Sequence, residues 1–101
     1  MISCLIRYEI DPTQVHEFEQ YAKMWIPLVN KYGGVHHGYF LPHEGKDYEA
    51  MALFSFSSLA AYEKYRESVR EDSDFKIAED YKAKKGFVLR IERQFMRPVL
   101  R

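Results

Sequence analysis

Cysteine is nearly missing from this sequence: Cys4 stands alone among 101 residues. A single thiol excludes an internal disulfide framework and fits a reducing compartment, so a cytoplasmic location is expected. Neither sign of charge is in excess, since 15 Lys and Arg are matched by 15 Asp and Glu. That balance removes the electrostatic footprint of a nucleic-acid or anionic-membrane binder. No apolar run approaches the roughly 20 residues of a membrane span. Residues 1–6 are too short a run for a signal peptide. A glycine-rich phosphate loop and a G-x-S-x-G elbow are both absent. No cysteine or carboxylate stands at ligand spacing around the histidines, so neither a metal nor a cofactor is expected.

Aromatic residues, by contrast, are plentiful: eight Tyr, seven Phe and one Trp make 16% of the chain. A chain of this length suits one domain, residues 1–101. Such a domain buries only roughly 60–65% of its unfolded surface. The flat apolar surplus therefore points to burial in a pocket or a subunit interface.

Period-two alternation in Ile2, Cys4, Ile6, Tyr8 and Ile10 predicts a strand with one well-buried face. Asp11-Pro12 then starts a helix, the carboxylate capping free amides and the proline fitting the first helical position. Val15, Phe18, Ala22, Trp25, Val29 and Tyr32 form one apolar stripe over residues 12–32, and Gly33 follows as a left-handed cap. Pro27 removes one hydrogen bond inside this helix and predicts a bend there. A second strand is expected over residues 35–41 and a third over 50–56. The third has apolar residues on both faces, as a central strand would. Ser57 or Ser58 caps a second helix, with Leu59, Tyr62, Tyr65, Arg66 and Val69 along one side. Asp72-Ser73-Asp74 interrupts it and caps one or two further turns, in which Phe75, Ala78 and Tyr81 recur. Gly86 closes that segment, and Phe87, Leu89, Ile91, Arg93 and Phe95 alternate in a fourth strand that Pro98 ends.

The order is β-α-β-β-α-β, so the expected class is α+β: a ferredoxin-like four-stranded antiparallel sheet with its helices on one face. The opposite face is assigned Leu5, Arg7, Glu9, Val88, Arg90, Glu92 and Met96. That mixture of apolar and charge-paired positions suits packing against a second copy of the chain.

The sequence is similar to the NIPSNAP family of the dimeric α/β-barrel superfamily. The resemblance runs over nearly the whole chain. It is carried by Ile6-Arg7-Tyr8 followed by Asp11-Pro12, by Gly38-Tyr39-Phe40, and by Leu53-Phe54-Ser55-Phe56 leading into Ser58-Leu59-Ala60-Ala61-Tyr62-Glu63. It implies a homodimer whose two sheets pack face to face, and it implies no particular reaction. The sequence departs from the family in His36-His37, where apolar residues are expected. Families of the same superfamily include cofactor-free monooxygenases and haem-degrading or haem-binding enzymes, whose activities fold alone does not transfer.

His36 and His37, as neighbours on a strand, face opposite ways. One is expected towards the helices and the other towards the partner copy, with the assignment left open. A histidine beside Tyr8, Tyr39 or Trp25 is the candidate general base for a phenolic or enolic substrate. His16 and His43 read as solvated, and Cys4 reads as packing. The second helical segment has no histidine to serve as an axial ligand, which argues against haem. Two main expectations result. The first is a homodimeric protein holding a small apolar or aromatic compound between sheet and helices, against Tyr8, Trp25, Tyr39, Phe54 and Phe56. The second is a cofactor-free monooxygenase or isomerase with His36 or His37 as base. A purely structural interaction module, with a closed and pocketless interface, is the third.

Overall fold

The computed structural model describes residues 1–100. Its elements run β1 (Ile2–Ile10), a 3-10 turn (Pro12–Gln14), α1 (Val15–Lys31), β2 (Val35–Phe40), β3 (Glu49–Phe56), α2 (Leu59–Val69), α3 (Ser73–Lys85) and β4 (Val88–Met96). The strands form one antiparallel sheet in the order β2-β3-β1-β4. That is the ferredoxin-like arrangement expected from the sequence.

Local chemistry sets the element ends. Asp11 accepts from the Thr13 backbone N–H at 2.9 Å and its hydroxyl at 2.8 Å. It therefore holds the first turn as a 3-10 turn before α1 begins. Helix α1 then passes through Pro27 without interruption. Ser58 caps α2 through the Ala61 N–H. Asp72 caps α3 through the Asp74 N–H at 2.8 Å, and Gly86 ends it in the left-handed conformation. Helix α3 has 13 residues, which is longer than the one or two turns expected. Asp72 also accepts from Lys31 Nζ at 2.8 Å and from the Tyr32 hydroxyl at 2.6 Å. This charge-assisted cluster pins the start of α3 to the end of α1. Three donors on one carboxylate, led by Lys31, hold its pKa down to about 2.

The core lies between the sheet and the helices. Register aligns Cys4 with Phe54, Ile6 with Ala52 and Tyr8 with Ala50, all buried. Phe18 from α1 enters this layer against Tyr8, Tyr21, Tyr39 and Phe87 at centroid distances of 5.0–5.9 Å. Burying one such side chain contributes about 1.5–3 kcal/mol. Cys4 is buried here too, and desolvation pushes its thiol up to about 11, so it is a packing group and not a thiolate.

One face assignment is corrected. Val88 was expected on the sheet face away from the helices, but it pairs with Ile10 and shares that residue's helix side. The cause is an irregularity in β4: Glu9 pairs with Arg90 and Ile10 with Val88, leaving Leu89 as an extra residue. A strict period of two across residues 87–95 cannot anticipate the slip. Beyond it, Ile91, Arg93 and Phe95 stand on the helix side, opposite Tyr8, Ile6 and Cys4. The helices leave this edge largely uncovered, with Ile91 39% and Phe95 40% exposed.

The far face of the sheet carries Ser3, Leu5, Arg7, Met51, Leu53, Ser55, Arg90, Glu92, Gln94 and Met96. Ser3 and Ser55 share a hydrogen bond of 2.7 Å. Arg7 pairs with Glu49 at 3.2 Å, and Arg90 with Glu92 at 2.6 Å. No described helix is long and apolar enough to cross a membrane.

Candidate functional site

The site is organised by a bulge in β2. His36 pairs with Phe54 and Gly38 with Leu53, so His37 is inserted between them. Gly38 makes the bulge possible with φ +116°, a conformation side-chain-bearing residues rarely adopt. The insertion restores two residues, three apart in sequence, to one face. His36 and Tyr39 both turn towards the helices, with rings stacked at 5.0 Å and 15° between planes. His37 turns the other way and places Nε2 2.8 Å from the Ser55 hydroxyl. The two histidines thus stand on opposite faces, with His36 on the helix side.

The bulge also sets the His36 tautomer. The Gly38 backbone N–H donates to His36 Nδ1 at 2.9 Å. That nitrogen must carry a lone pair, so in the neutral ring the proton sits on Nε2. Desolvation, with a smaller contribution from His37, lowers the ring's pKa to about 4, so it is neutral near pH 7. His36 Nε2 is buried and has no hydrogen-bond partner.

A cavity of about 210 Å³ lies between the sheet and the helices, with His36 in its wall. Tyr8, Trp25, Tyr39 and Phe54 line it as well. Phe56 does not. It packs behind, against Phe54, Tyr62 and Tyr65. Four of the five residues expected around a ligand therefore share one cavity, together with one of the two candidate histidines. His37 lies outside it.

Burial dominates the electrostatics of the wall. It pushes the Tyr8 hydroxyl up to about 12 and raises Tyr39, Tyr21 and Tyr65 as well, so all four phenols are protonated. Tyr21 donates to Glu79 at 3.0 Å. The Trp25 indole nitrogen is buried, and its N–H faces the Tyr21 hydroxyl without reaching good hydrogen-bond geometry. Arg66, Arg70 and Arg93 also line the cavity. Arg66 donates to the Tyr62 hydroxyl at 2.7 Å. None of the three makes an ion pair with a described carboxylate, whereas Lys82 is paired with Glu79 at 3.2 Å. Sequence reasoning missed these arginines. Arg66 lay in plain view on the stripe of α2, where it read as a helix-packing residue. Arg93 alternated with apolar residues in β4 and gave no separate signal. Among the described residues, no three His, Cys, Asp or Glu side chains cluster to hold a metal ion.

A sequence model of the NIPSNAP family matches residues 3–100. No match is found among curated proteins. Among solved structures, a NIPSNAP family protein with unknown function from Agrobacterium tumefaciens superposes with a TM-score of 0.82 at 18% identity, covering 97% of this chain and 87% of the other. An uncharacterized NIPSNAP domain protein from Burkholderia xenovorans gives 0.81 at 15% identity, covering 98% and 95%. A candidate antibiotic biosynthesis monooxygenase from Nitrosomonas europaea gives 0.75 at 7% identity, covering 99% and 100%. At these identities the likeness is one of fold.

Proposed function

The chain belongs to the NIPSNAP family, and on that premise we propose that it is a homodimeric binding protein holding a small aromatic or apolar compound between its sheet and its helices. The cavity of about 210 Å³ beside His36, walled by Tyr8, Trp25, Tyr39 and Phe54, carries this reading. An apolar cavity of roughly 150 Å³ is enough to hold benzene. This one therefore has room for a single ring with a small substituent. Preformed, aromatic-lined concavities with a few convergent polar groups are the usual form of a small-molecule site.

The dimer is supported by the sheet face away from the helices. Leu5, Met51 and Leu53 are half-buried there, flanked by the Arg7–Glu49 and Arg90–Glu92 pairs. A two-fold axis would set apolar centre on apolar centre and bring each arginine towards the partner's carboxylates. A thermal-shift screen of single-ring aromatic compounds tests the binding half, because a ligand that binds only the folded chain raises its melting temperature. Stabilisation by at least one of them is expected, and a uniformly flat screen would count against the reading. Sedimentation equilibrium tests the dimer.

The second reading is a cofactor-free monooxygenase or isomerase with a β2 histidine as base. The fold likeness to the Nitrosomonas europaea protein favours it. The His36 tautomer weighs against a base on the cavity side, since Gly38 engages Nδ1 and Nε2 presents a proton instead of a lone pair. On this reading, replacing both histidines by Ala should abolish turnover, and an unchanged rate would remove it.

A further inference from the structure

We propose that the compound held in the cavity is a small aromatic carboxylate, whose oxygen atoms take the His36 Nε2–H and Trp25 Nε1–H and whose charge is answered by Arg66, Arg70 and Arg93. This rests on the binding reading above and narrows it to a chemical class.

Three observations carry it independently. The first is the pair of orphan donors. His36 Nε2 and Trp25 Nε1 are the two buried side-chain polar atoms of the described residues without a hydrogen-bond partner, and both residues line this cavity. A buried N–H left unmade costs about 1–3 kcal/mol, so natural structures rarely keep one without a reason. Trp25 Nε1 has the Tyr21 hydroxyl nearby, so it is His36 Nε2 above all that calls for an acceptor-bearing occupant. The tautomer argument makes the His36 proton obligatory in the neutral ring, so the occupant must accept and cannot itself donate to that nitrogen.

The second is charge. Three guanidinium groups without a carboxylate partner line the cavity against one carboxylate, Glu79, already taken by Lys82 and Tyr21. Arg66 is half-buried and Arg70 and Arg93 stand exposed at the cavity's rim, and a guanidinium is the side chain best suited to a planar carboxylate. The third is shape. Tyr39 stacks on His36 at 15°, and Phe54 lies tilted 5.6 Å from the same imidazole, which leaves flat apolar surface beside the donor. A ring with its carboxylate at one edge satisfies all three demands. A purely apolar compound satisfies only the last.

Titration calorimetry with three ring probes separates the elements. Benzoate offers both charge and acceptors, benzamide offers a carbonyl acceptor without charge, and toluene offers neither. The expected order of affinity is benzoate over benzamide over toluene. His36→Phe keeps the flat ring and removes the donor. It should weaken benzoate by about ten-fold to a hundred-fold, the range for one hydrogen bond to a charged group, weaken benzamide by only about two-fold to ten-fold, and leave toluene unchanged. Arg70→Gln, at the exposed end of α2, tests the charge without touching the core. It should weaken benzoate and spare benzamide. Toluene binding as tightly as benzoate, or benzoate indifferent to both substitutions, would overturn the carboxylate while leaving the apolar pocket intact. Silence from all three probes would overturn both this inference and the binding reading beneath it.

Discussion

Substituting Gly38 with Ala should dismantle the site from a distance. Gly38 has φ +116°, well outside the narrow left-handed well near +50 to +70° that other residues tolerate. An added Cβ would meet nothing within 4 Å, so steric overlap contributes no cost and the penalty is one of backbone strain alone. Holding a residue in such a region costs about 1–3 kcal/mol. The alternative is to let φ relax, which closes the bulge. Strict alternation then returns to β2, and His36 and Tyr39 can no longer share a face. The Gly38 N–H to His36 Nδ1 bond of 2.9 Å is lost with it. The chain takes the cheaper of the two routes, so about 1–3 kcal/mol is an upper bracket as well as an estimate. In a domain of this size, each kcal/mol moves the melting temperature by about 4–8 °C. The assay is urea denaturation at fixed protein concentration, since the stability of the proposed dimer would depend on concentration. The midpoint should fall while the slope stays constant, and benzoate affinity should fall with it. A midpoint shift worth less than about 0.5 kcal/mol, the range of an innocuous surface change, together with unchanged benzoate affinity, would refute the claim that this glycine holds the bulge.

Gly34→Ala is expected to destabilise by a different route. Its new Cβ would lie 2.7 Å from both Phe56 Cζ and Val29 Cγ1, an overpacking of buried groups that costs about 1–3 kcal/mol and should appear as a lower urea midpoint. Acid should weaken the Asp72 tether. Its carboxyl is held at about 2 in the fold, below the usual value near 3.9. Its contribution is therefore complete above about pH 4 and is lost as the pH falls towards 2. Thermal unfolding followed over that window should show Asp72→Asn less stable than the parent at neutral pH, with the difference narrowing on acidification. A difference that stays constant would assign the tether no role. Leu53→Arg, which puts a cation at the centre of the proposed sheet-to-sheet contact, should yield monomers in sedimentation equilibrium without changing the far-ultraviolet spectrum. A dimer unaffected by it would move the interface elsewhere.

Much of the fold was legible because periodicity reports burial directly. The alternation of Ile2 to Ile10 and the stripe from Val15 to Tyr32 each describe one face that must leave water, and both elements form where expected. The slips occur where that periodicity breaks. Leu89 interrupts β4, so Val88 was placed on the wrong face. The bulge at His37 determines that His36 and Tyr39 meet, and a bulge has no signature in a single sequence beyond a glycine nearby. The aromatic wall of the cavity could be anticipated from composition and strand phase. Phe56 shares the phase of Phe54, yet a neighbouring ring screens it from the cavity, a matter of packing that phase alone does not reveal. The arginines were hidden for a simpler reason: a charged residue on a partly exposed helix or edge strand is ordinarily solvated, and nothing local distinguishes one that borders a cavity.

The most direct measurement is a crystal structure of the protein grown with sodium benzoate. The ring should occupy the space beside Tyr39 and Phe54, with a carboxylate oxygen at hydrogen-bonding distance, about 2.7–3.2 Å, from His36 Nε2. A cavity still empty at saturating benzoate, or a bound ring that leaves the Nε2 proton without an acceptor, would contradict the assignment.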